Sequence, residues 1–241
     1  MRTNSLTAIF TTGVLTAATA ADITGAYVVE YSVTAADFDG SDVTVNVQDL
    51  YLRSNDAWEG VPESGDTVLN VYNLNLVAEG QVDYFQSFTG TGWQPTNLGG
   101  PFDTAALRMA DSFVTIGGFA QDTLRPEQAP GVGSESALDP DFGGNDVDSP
   151  AANAGWYNSS PPSYAGATGQ VADEFGDLGI GVLVGRFAYQ GDFSIVDSTL
   201  SVTWNQGLGT QGIQADFIVT PAPGALALLG IAPFARRRRR H

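Results

Sequence analysis

From Ile23 onward, apolar and polar residues alternate with a period of two through short segments set apart by glycine, aspartate and proline clusters. That period places successive side chains on opposite faces of an extended chain, so the pattern predicts an all-β domain. The predicted strands are 26–33, 43–52, 67–77, 82–88, 112–117, 181–189, 194–205 and 213–219, and no long helical period appears. Within 194–205, Val196, Leu200, Val202 and Trp204 share one parity and Asp197, Thr199, Ser201 and Thr203 the other, which describes a strand with one wet face. Segment 181–189 instead has Val182, Leu183, Val184 and Phe187 on both parities, so both of its faces should be covered. In 43–52 the apolar parity changes from Val43, Val45 and Val47 to Leu50 and Leu52, suggesting a β-bulge near Asp49. Between Asp122 and Gly179 the alternation gives way to a long irregular stretch rich in glycine, proline and aspartate, of the kind that is functional or partly disordered. The fold these segments fit is an antiparallel β-sandwich, jelly-roll-like or cohesin-like.

The two ends depart from this pattern. Residues 1–21 combine Arg2, a threonine-diluted apolar stretch from Leu6 to Ala18, and the sequence Ala18-Thr19-Ala20-Ala21. A charged start, a short apolar middle and small residues that fit a signal peptidase predict a secretory signal cleaved after Ala20 or Ala21. A membrane-spanning helix would need 18 or more clean apolar residues, which the threonines interrupt. At the other end, Pro221, Ala222 and Pro223 precede the 12 apolar or small residues 224–235 and then Arg236, Arg237, Arg238, Arg239 and Arg240. The arginine run favours the cytoplasmic side, and the apolar segment is too short for a comfortable permanent span. A transient stop in the inner membrane before processing is the expectation. Three parts follow: a signal peptide at 1–21, one acidic domain at 22–219 and a tail at 220–241.

Charge sharpens the reading of the middle part. All 27 acidic residues lie between Asp22 and Asp216, whereas the ten basic residues are all arginine and only Arg53, Arg108, Arg125 and Arg186 fall in the body. So negative a surface repels phosphate backbones and offers no basic stripe for counterion release, which excludes nucleic acid as a partner. Cysteine is absent and the one histidine is His241. Disulfides, thiol nucleophiles, serine-histidine triads and most zinc chemistry are therefore not expected. The absence of lysine removes Schiff-base chemistry and the P-loop, leaving carboxylates.

The tripartite tail resembles the PEP-CTERM sorting signal of Gram-negative and planctomycete bacteria, with Ala222 where the naming motif has glutamate, as in a planctomycete-like Pro-Ala-Pro variant. The resemblance implies recognition by an exosortase-like membrane transpeptidase, removal of the tail near Pro221 to Pro223, and delivery to the cell surface or exopolysaccharide matrix. The phrases Asp111-Ser112-Phe113-Val114-Thr115-Ile116-Gly117, Leu138-Asp139-Pro140-Asp141-Phe142 and Gly155-Trp156-Tyr157-Asn158-Ser159-Ser160-Pro161-Pro162 look like ones shared by planctomycete exported proteins bearing such a tail. That likeness implies kinship and surface export and nothing about activity.

Three chemistries compete with plain structural roles. Asp139, Asp141, Asn145, Asp146 and Asp148 offer hard oxygen ligands for calcium, yet taking Asp139 as position 1 of an EF-hand puts Pro150 at position 12, where a bidentate glutamate belongs. An irregular calcium loop stands against a solvated acidic loop, the latter being the preferred reading, and no cofactor is assigned. Glycosidase chemistry needs two carboxylates about 5 to 9.5 Å apart; nothing in the sequence singles out a pair, and no catalytic residue is assigned. Tyr84, Phe85, Phe88, Trp93, Trp156 and Tyr157 form either a stacking platform for sugars or part of the core, with core packing preferred. Exposure is most plausible for Trp93 and Trp156, which sit in glycine-rich surroundings. The expectation is an exported, noncatalytic surface or matrix protein touching exopolysaccharide or other surface proteins, the alternative being a carbohydrate-binding module; a carboxylate-dependent hydrolase or lyase is the weakest reading.

Overall fold

A computed structural model describes residues 22–36, 41–55, 65–77, 82–86, 92–94, 105–117, 136–163, 166–173, 176–207 and 209–222. The protein is all-β. Its strands are β1 (Ile23–Ala36), β2 (Asp42–Ser54), β3 (Thr67–Asn75), β4 (Phe113–Val114), β5 (Ser136–Leu138), β6 (Ala154–Asn158), β7 (Gly169–Asp173), β8 (Gly176–Tyr189), β9 (Thr199–Asn205) and β10 (Ile213–Pro221). One short helix, α1 (Ala105–Ala110), interrupts them. Among the described residues, no helix is long and apolar enough to cross a membrane.

The strands form one sheet in the order β4-β8-β2-β1-β10-β9-β3-β6-β5, with β7 also paired to β8. Among the described residues nine ladders make up this sheet and its side branch, and of these only that between β1 and β10 is parallel, with Ala26 opposite Val219 and Val28 opposite Pro221. The sheet is thus mixed where the sequence predicted a purely antiparallel one. The parallel pair joins the first and last strands, whose connection is the whole intervening chain, so no tight hairpin forces them antiparallel. The sheet also comes close to closing on itself as a barrel. Ile116 N donates to Ser136 Oγ at 2.7 Å and Trp156 Nε1 to Thr115 O at 2.8 Å, drawing the β4 end towards β5 and β6.

One large core lies between the facing halves of the sheet. Val28, Leu50, Leu52, Val182, Val184 and Phe187 fill it from one side, and Val68, Val71, Trp156, Leu200, Val202 and Trp204 from the other. In β9 the apolar parity is buried as expected, with Leu200, Val202 and Trp204 inside, but the other parity is only partly wet: Thr199 is exposed and Thr203 half-buried, while Ser201 and Asn205 are buried. Residues 181–189 of β8 are all buried, as predicted for a strand covered on both faces.

The second cover explains the parity change in β2. Its pairing with β1 runs in unbroken register from Arg53 opposite Gly25 to Asp42 opposite Ala36, so β2 has no bulge against that neighbour. The shift falls in the β2–β8 ladder between Leu50 and Tyr51, where Leu50 faces Gly185 and Tyr51 faces Leu183, so the extra residue is Val184 of β8. Leu50 and Leu52 belong to the large core, whereas Val45 and Val47 pack on the opposite face with Val33, Ala35, Leu107 and Ala110, under α1. Both parities are apolar because both faces are buried.

Other expectations shift in extent. Segment 82–88 contributes only the bridge Tyr84–Tyr189 among its described residues, 112–117 shortens to β4, and 194–205 begins as a strand only at Thr199. The stretch 122–179, expected to be irregular, contains β5, β6, β7 and the start of β8, together with 3-10 turns at Pro140–Phe142 and Pro161–Ser163.

Candidate functional site

The core stops partway along β1 and β2, and the sequence of each strand shows where. On the core-facing parity β1 passes from Ala26 and Val28 to Glu30, Ser32 and Thr34, while β2, running the other way, passes from Leu52 and Leu50 to Gln48, Asn46 and Thr44. The other parity stays apolar there, with Val33, Ala35, Val45 and Val47 buried. Beyond Val28 and Leu50 the inner face is therefore polar, and β1, β2, the end of β8 and the turn after it form an open cleft of about 440 Å³. Its lining comprises Glu30, Ser32, Asn46 and Gln48 from the strands and Tyr189, Asp192, Phe193 and Ser194 from the end of β8 and the following turn.

Hydrogen bonds hold that turn against the strands. Gln48 is the hub: its Nε2 donates to Glu30 Oε1 at 2.5 Å and to Ser194 Oγ at 3.2 Å, and its Oε1 accepts from Ile195 N at 2.7 Å. Gln48 is buried, so satisfying both ends of its amide is what makes its position tenable. Asn46 Nδ2 donates to Gly191 O at 2.6 Å, Ser32 Oγ donates to Asn46 Oδ1 at 2.9 Å, and Tyr189 Oη donates to Phe193 O. Burial, then the charges of Glu30 and Asp192, push the Tyr189 hydroxyl up to about 12. The cleft is electronegative, as those two carboxylates require.

A second charged constellation lies on the opposite face of the same strands. Arg186 is 0 % exposed and grips Asp49 with two hydrogen bonds, Nε to Oδ1 at 2.6 Å and Nη2 to Oδ2 at 2.9 Å. Tyr31 Oη also donates to Asp49 Oδ2 at 3.0 Å, and the Tyr31 and Phe113 rings lie 5.9 and 5.3 Å from the guanidinium carbon. Burial alone opposes charge on Arg186, but Asp49 beside it holds the guanidinium protonated. Sealed in this way, the pair has no route to a ligand; its role is structural.

The residues singled out from sequence distribute unevenly. Trp93 and Trp156, expected to be the most exposed aromatics, are 0 % and 1 % exposed. Trp93 Nε1 donates to Val147 O at 2.8 Å, and Tyr84, Trp93, Phe142 and Trp156 form a chain of edge-to-face contacts with centroids 5.2, 5.7 and 6.4 Å apart. Glycine permits this burial: at Gly92, with φ of 75°, a Cβ would run into the Asn145 carbonyl that accepts from Trp93 N. No platform built on the two tryptophans exists. Tyr84 turns into the core and Phe85 packs towards α1, as their alternation requires; Tyr157 is 44 % exposed, and Phe88 lies outside the described residues.

Of the oxygen-rich loop, Asp139 Oδ1 caps the following 3-10 turn by accepting from Phe142 N at 3.0 Å, and Asn145 Oδ1 accepts from Gln94 N at 2.9 Å. Asp141, Asp146 and Asp148 are exposed, and among the described residues no three acidic, histidine or cysteine side chains converge as metal ligands. Ala18, Ala20, Ala21, Pro223 and Arg236 to Arg240 lie outside the described residues. Pro221 and Ala222 lie within them and belong to the sheet: Pro221 is opposite Val28, and Ala222 N donates to Val28 O at 2.9 Å. Sequence reasoning did not single out Glu30, Gln48, Asp192 or Ser194, although the switch to polar residues on one parity of β1 was visible. No protein-family model matches the chain, and no curated protein and no solved structure matches it.

Proposed function

We propose that the chain is an exported, noncatalytic surface or matrix protein whose body is a β-sandwich presenting a polar cleft. The observation that carries this reading is the make-up of the two terminal segments, Arg2 with an apolar stretch and Ala18-Thr19-Ala20 at one end and Pro221-Ala222-Pro223 with the arginine run at the other, on either side of a body whose strands run from Ile23 to Pro221. Asp22, which follows Ala21, is tied to the end of β2: its N donates to Asn55 Oδ1 at 2.7 Å, and Asn55 N donates to its carbonyl at 3.1 Å. Near the other end Ala222, inside the Pro-Ala-Pro motif, donates its N–H to Val28 O at 2.9 Å. On this reading a signal peptidase removes the first segment and an exosortase-like enzyme the tail, with a transient inner-membrane intermediate between the two steps. Two facing halves around one core support the sandwich, jelly-roll-like or cohesin-like, over an open barrel.

Mass spectrometry of the native product tests the export reading. The expected species begins at Ala21 or Asp22 and lacks the arginine run; a cytosolic species with intact Met1 and Arg236 to Arg240 overturns it. The noncatalytic reading fails if a panel of polysaccharides reveals turnover that is lost on replacing one carboxylate.

Binding of a glycan as a carbohydrate-binding module is the second reading, and the cleft favours it. A 440 Å³ opening edged by Tyr189 and Phe193 and lined by amide, hydroxyl and carboxylate groups is in the size range of small-ligand sites. The acidic loop at Asp139 to Asp148 is proposed as a solvated turn with no resident ion; calorimetry with calcium against chelator checks it, and a saturable heat lost in Asp141→Asn/Asp146→Asn overturns it.

A further inference from the structure

The cleft has almost no donors to give. Both amide hydrogens of Gln48 go to Glu30 and Ser194, the Ser194 hydroxyl reaches Glu30 Oε1 at 3.4 Å, and the Ser32 and Tyr189 hydroxyls donate to Asn46 and Phe193. Asn46 spends one amide hydrogen on Gly191 O. Acceptors remain in surplus. The second carboxylate oxygen of Glu30 and the whole carboxylate of Asp192 have no hydrogen-bond partner among the described residues, and both residues are exposed at the mouth. Among the described residues no arginine is seen to offset them, and Arg186 is engaged with Asp49 across the sheet. A complementary ligand brings donors and positive charge and accepts little. The space exceeds what a bare ion fills, and the half-buried Phe193 ring, packed edge-to-face on the buried Tyr189 with centroids 5.2 Å apart, offers an apolar wall to a carbon skeleton.

We infer that the cleft binds an amino-sugar residue of a glycan chain through its ammonium group, held by Glu30 and Asp192, with its ring against Phe193. The inference deepens the glycan reading of the cleft and rests on it. The ammonium donates to the two carboxylates, and the hydroxyls donate to the remaining lone pair of Asn46 Oδ1. An N-acetylated sugar loses the charge and two of the three donors that the site requires. An anionic sugar is repelled.

The test titrates the purified protein at about 0.15 M salt, where diffuse attraction is screened beyond about 8 Å. Probes are a fully deacetylated glucosamine tetramer, its N-acetylated counterpart and calcium chloride, followed by calorimetry and by NMR shifts of the aromatic side chains. The expected result is saturable binding of the deacetylated tetramer, with shifts at Tyr189 and Phe193. Glu30→Gln/Asp192→Asn should weaken it by about tenfold, as expected for losing two exposed charge pairs, while Asp141→Asn/Asp146→Asn leaves it unchanged. Both cleft substitutions are isosteric, and Glu30→Gln keeps an oxygen facing Gln48, so the fold is expected to survive; far-UV circular dichroism of the variant checks this. Equal weakening in both double variants would mean that the tetramer merely condenses on an acidic surface, and overturns the inference. So do equal affinity for the N-acetylated tetramer, calcium binding in the cleft that excludes the tetramer, and the absence of binding by any probe. If the N-acetylated tetramer alone binds at Tyr189 and Phe193, the glycan reading stands while the ammonium assignment falls; none of these results bears on export.

Discussion

The two halves of the sheet spend their sequence differently. In the β1–β2–β8 half both faces are covered as far as Val28 and Leu50, residues 181–189 are all buried, and an ion pair sits sealed on the outer side. In the β10–β9–β3 half only the inner face is dry: Gln214, Asp216 and Ile218 of β10 and Thr199 of β9 stand exposed on the other. The difference teaches where a single change should hurt. A doubly covered strand has no solvent face onto which a misfit can relax, whereas a half-buried strand exposes every second side chain to water. Stability and specificity of register should concentrate in the first half.

The largest effect should come from Arg186→Met. It leaves the Asp49 carboxylate buried and without its cation, and the expected loss is about 3–5 kcal/mol, read as a lowered denaturant midpoint. Asp49→Leu/Arg186→Met should recover most of that loss, since the burden lies in the unpaired charge rather than in the missing pair. A loss below about 1 kcal/mol for the single variant would show that water reaches the pair, and the contrast between the halves would fail.

A smaller effect should follow from cutting the seam between them. Ending the chain at Val219 removes the Ala222 N–H bond to Val28 O and the Thr220 Oγ1 bond to Ala26 O at 3.0 Å, which fasten β10 to β1. Relative to a chain ending at Ala222, the expected loss is about 1–3 kcal/mol by thermal unfolding. Equal stability would mean that the halves are held together by the core alone.

Alkaline titration then examines the rim of the covered half, where β8 meets the cleft. The Tyr189 hydroxyl rises from its ordinary value of 10.0 to about 12 because burial and the neighbouring Glu30 and Asp192 disfavour its anion. The unfolded chain ionises first, so this group contributes nothing to pH dependence below pH 10, and stability declines as pH climbs from about 10 towards 12. Replacing Asp192 with asparagine should lower the Tyr189 midpoint, visible in the tyrosinate absorbance. An unchanged midpoint would remove Asp192 from the field over the cleft.

How much of this could be read beforehand depends on how many layers a strand touches. The apolar run in 181–189 translates directly, whereas the alternation in 199–205 places Leu200, Val202 and Trp204 inside as read but leaves Ser201 and Asn205 of the polar parity buried too. Val43, Val45 and Val47 followed by Leu50 and Leu52 has two structural solutions, a bulge or a second cover. The cover that decides it, Leu107 and Ala110 of α1, sits far away in sequence on a helix too short to show a period. Trp93 and Trp156 misled for a related reason: glycine marks a loop in sequence, yet at Gly92 it admits the close backbone approach that buries the neighbouring tryptophan. The cleft was half visible, in Glu30, Ser32 and Thr34 on one parity of β1. Its other wall, Asp192 to Ser194, needed the register of β2 with β8 to be known.

The smallest effect should appear at Ile218, the most exposed large apolar residue among those described at 61 %, on the open face of β10. Ile218→Thr keeps the β-branched shape that suits an extended backbone and removes apolar surface that the fold does not bury. The expected change is within about 0.5 kcal/mol in either direction, measured by the same denaturant unfolding as for Arg186→Met. Its neighbour Asp216 already accepts from Ser201 Oγ at 2.6 Å, so the new hydroxyl finds water as its partner and displaces no protein bond. A loss above about 1.5 kcal/mol would place Ile218 in the range of a buried side chain. The outer face of β10 would then be covered as the outer face of β2 is, and the two halves would differ in which layer seals them, with neither of them open to water.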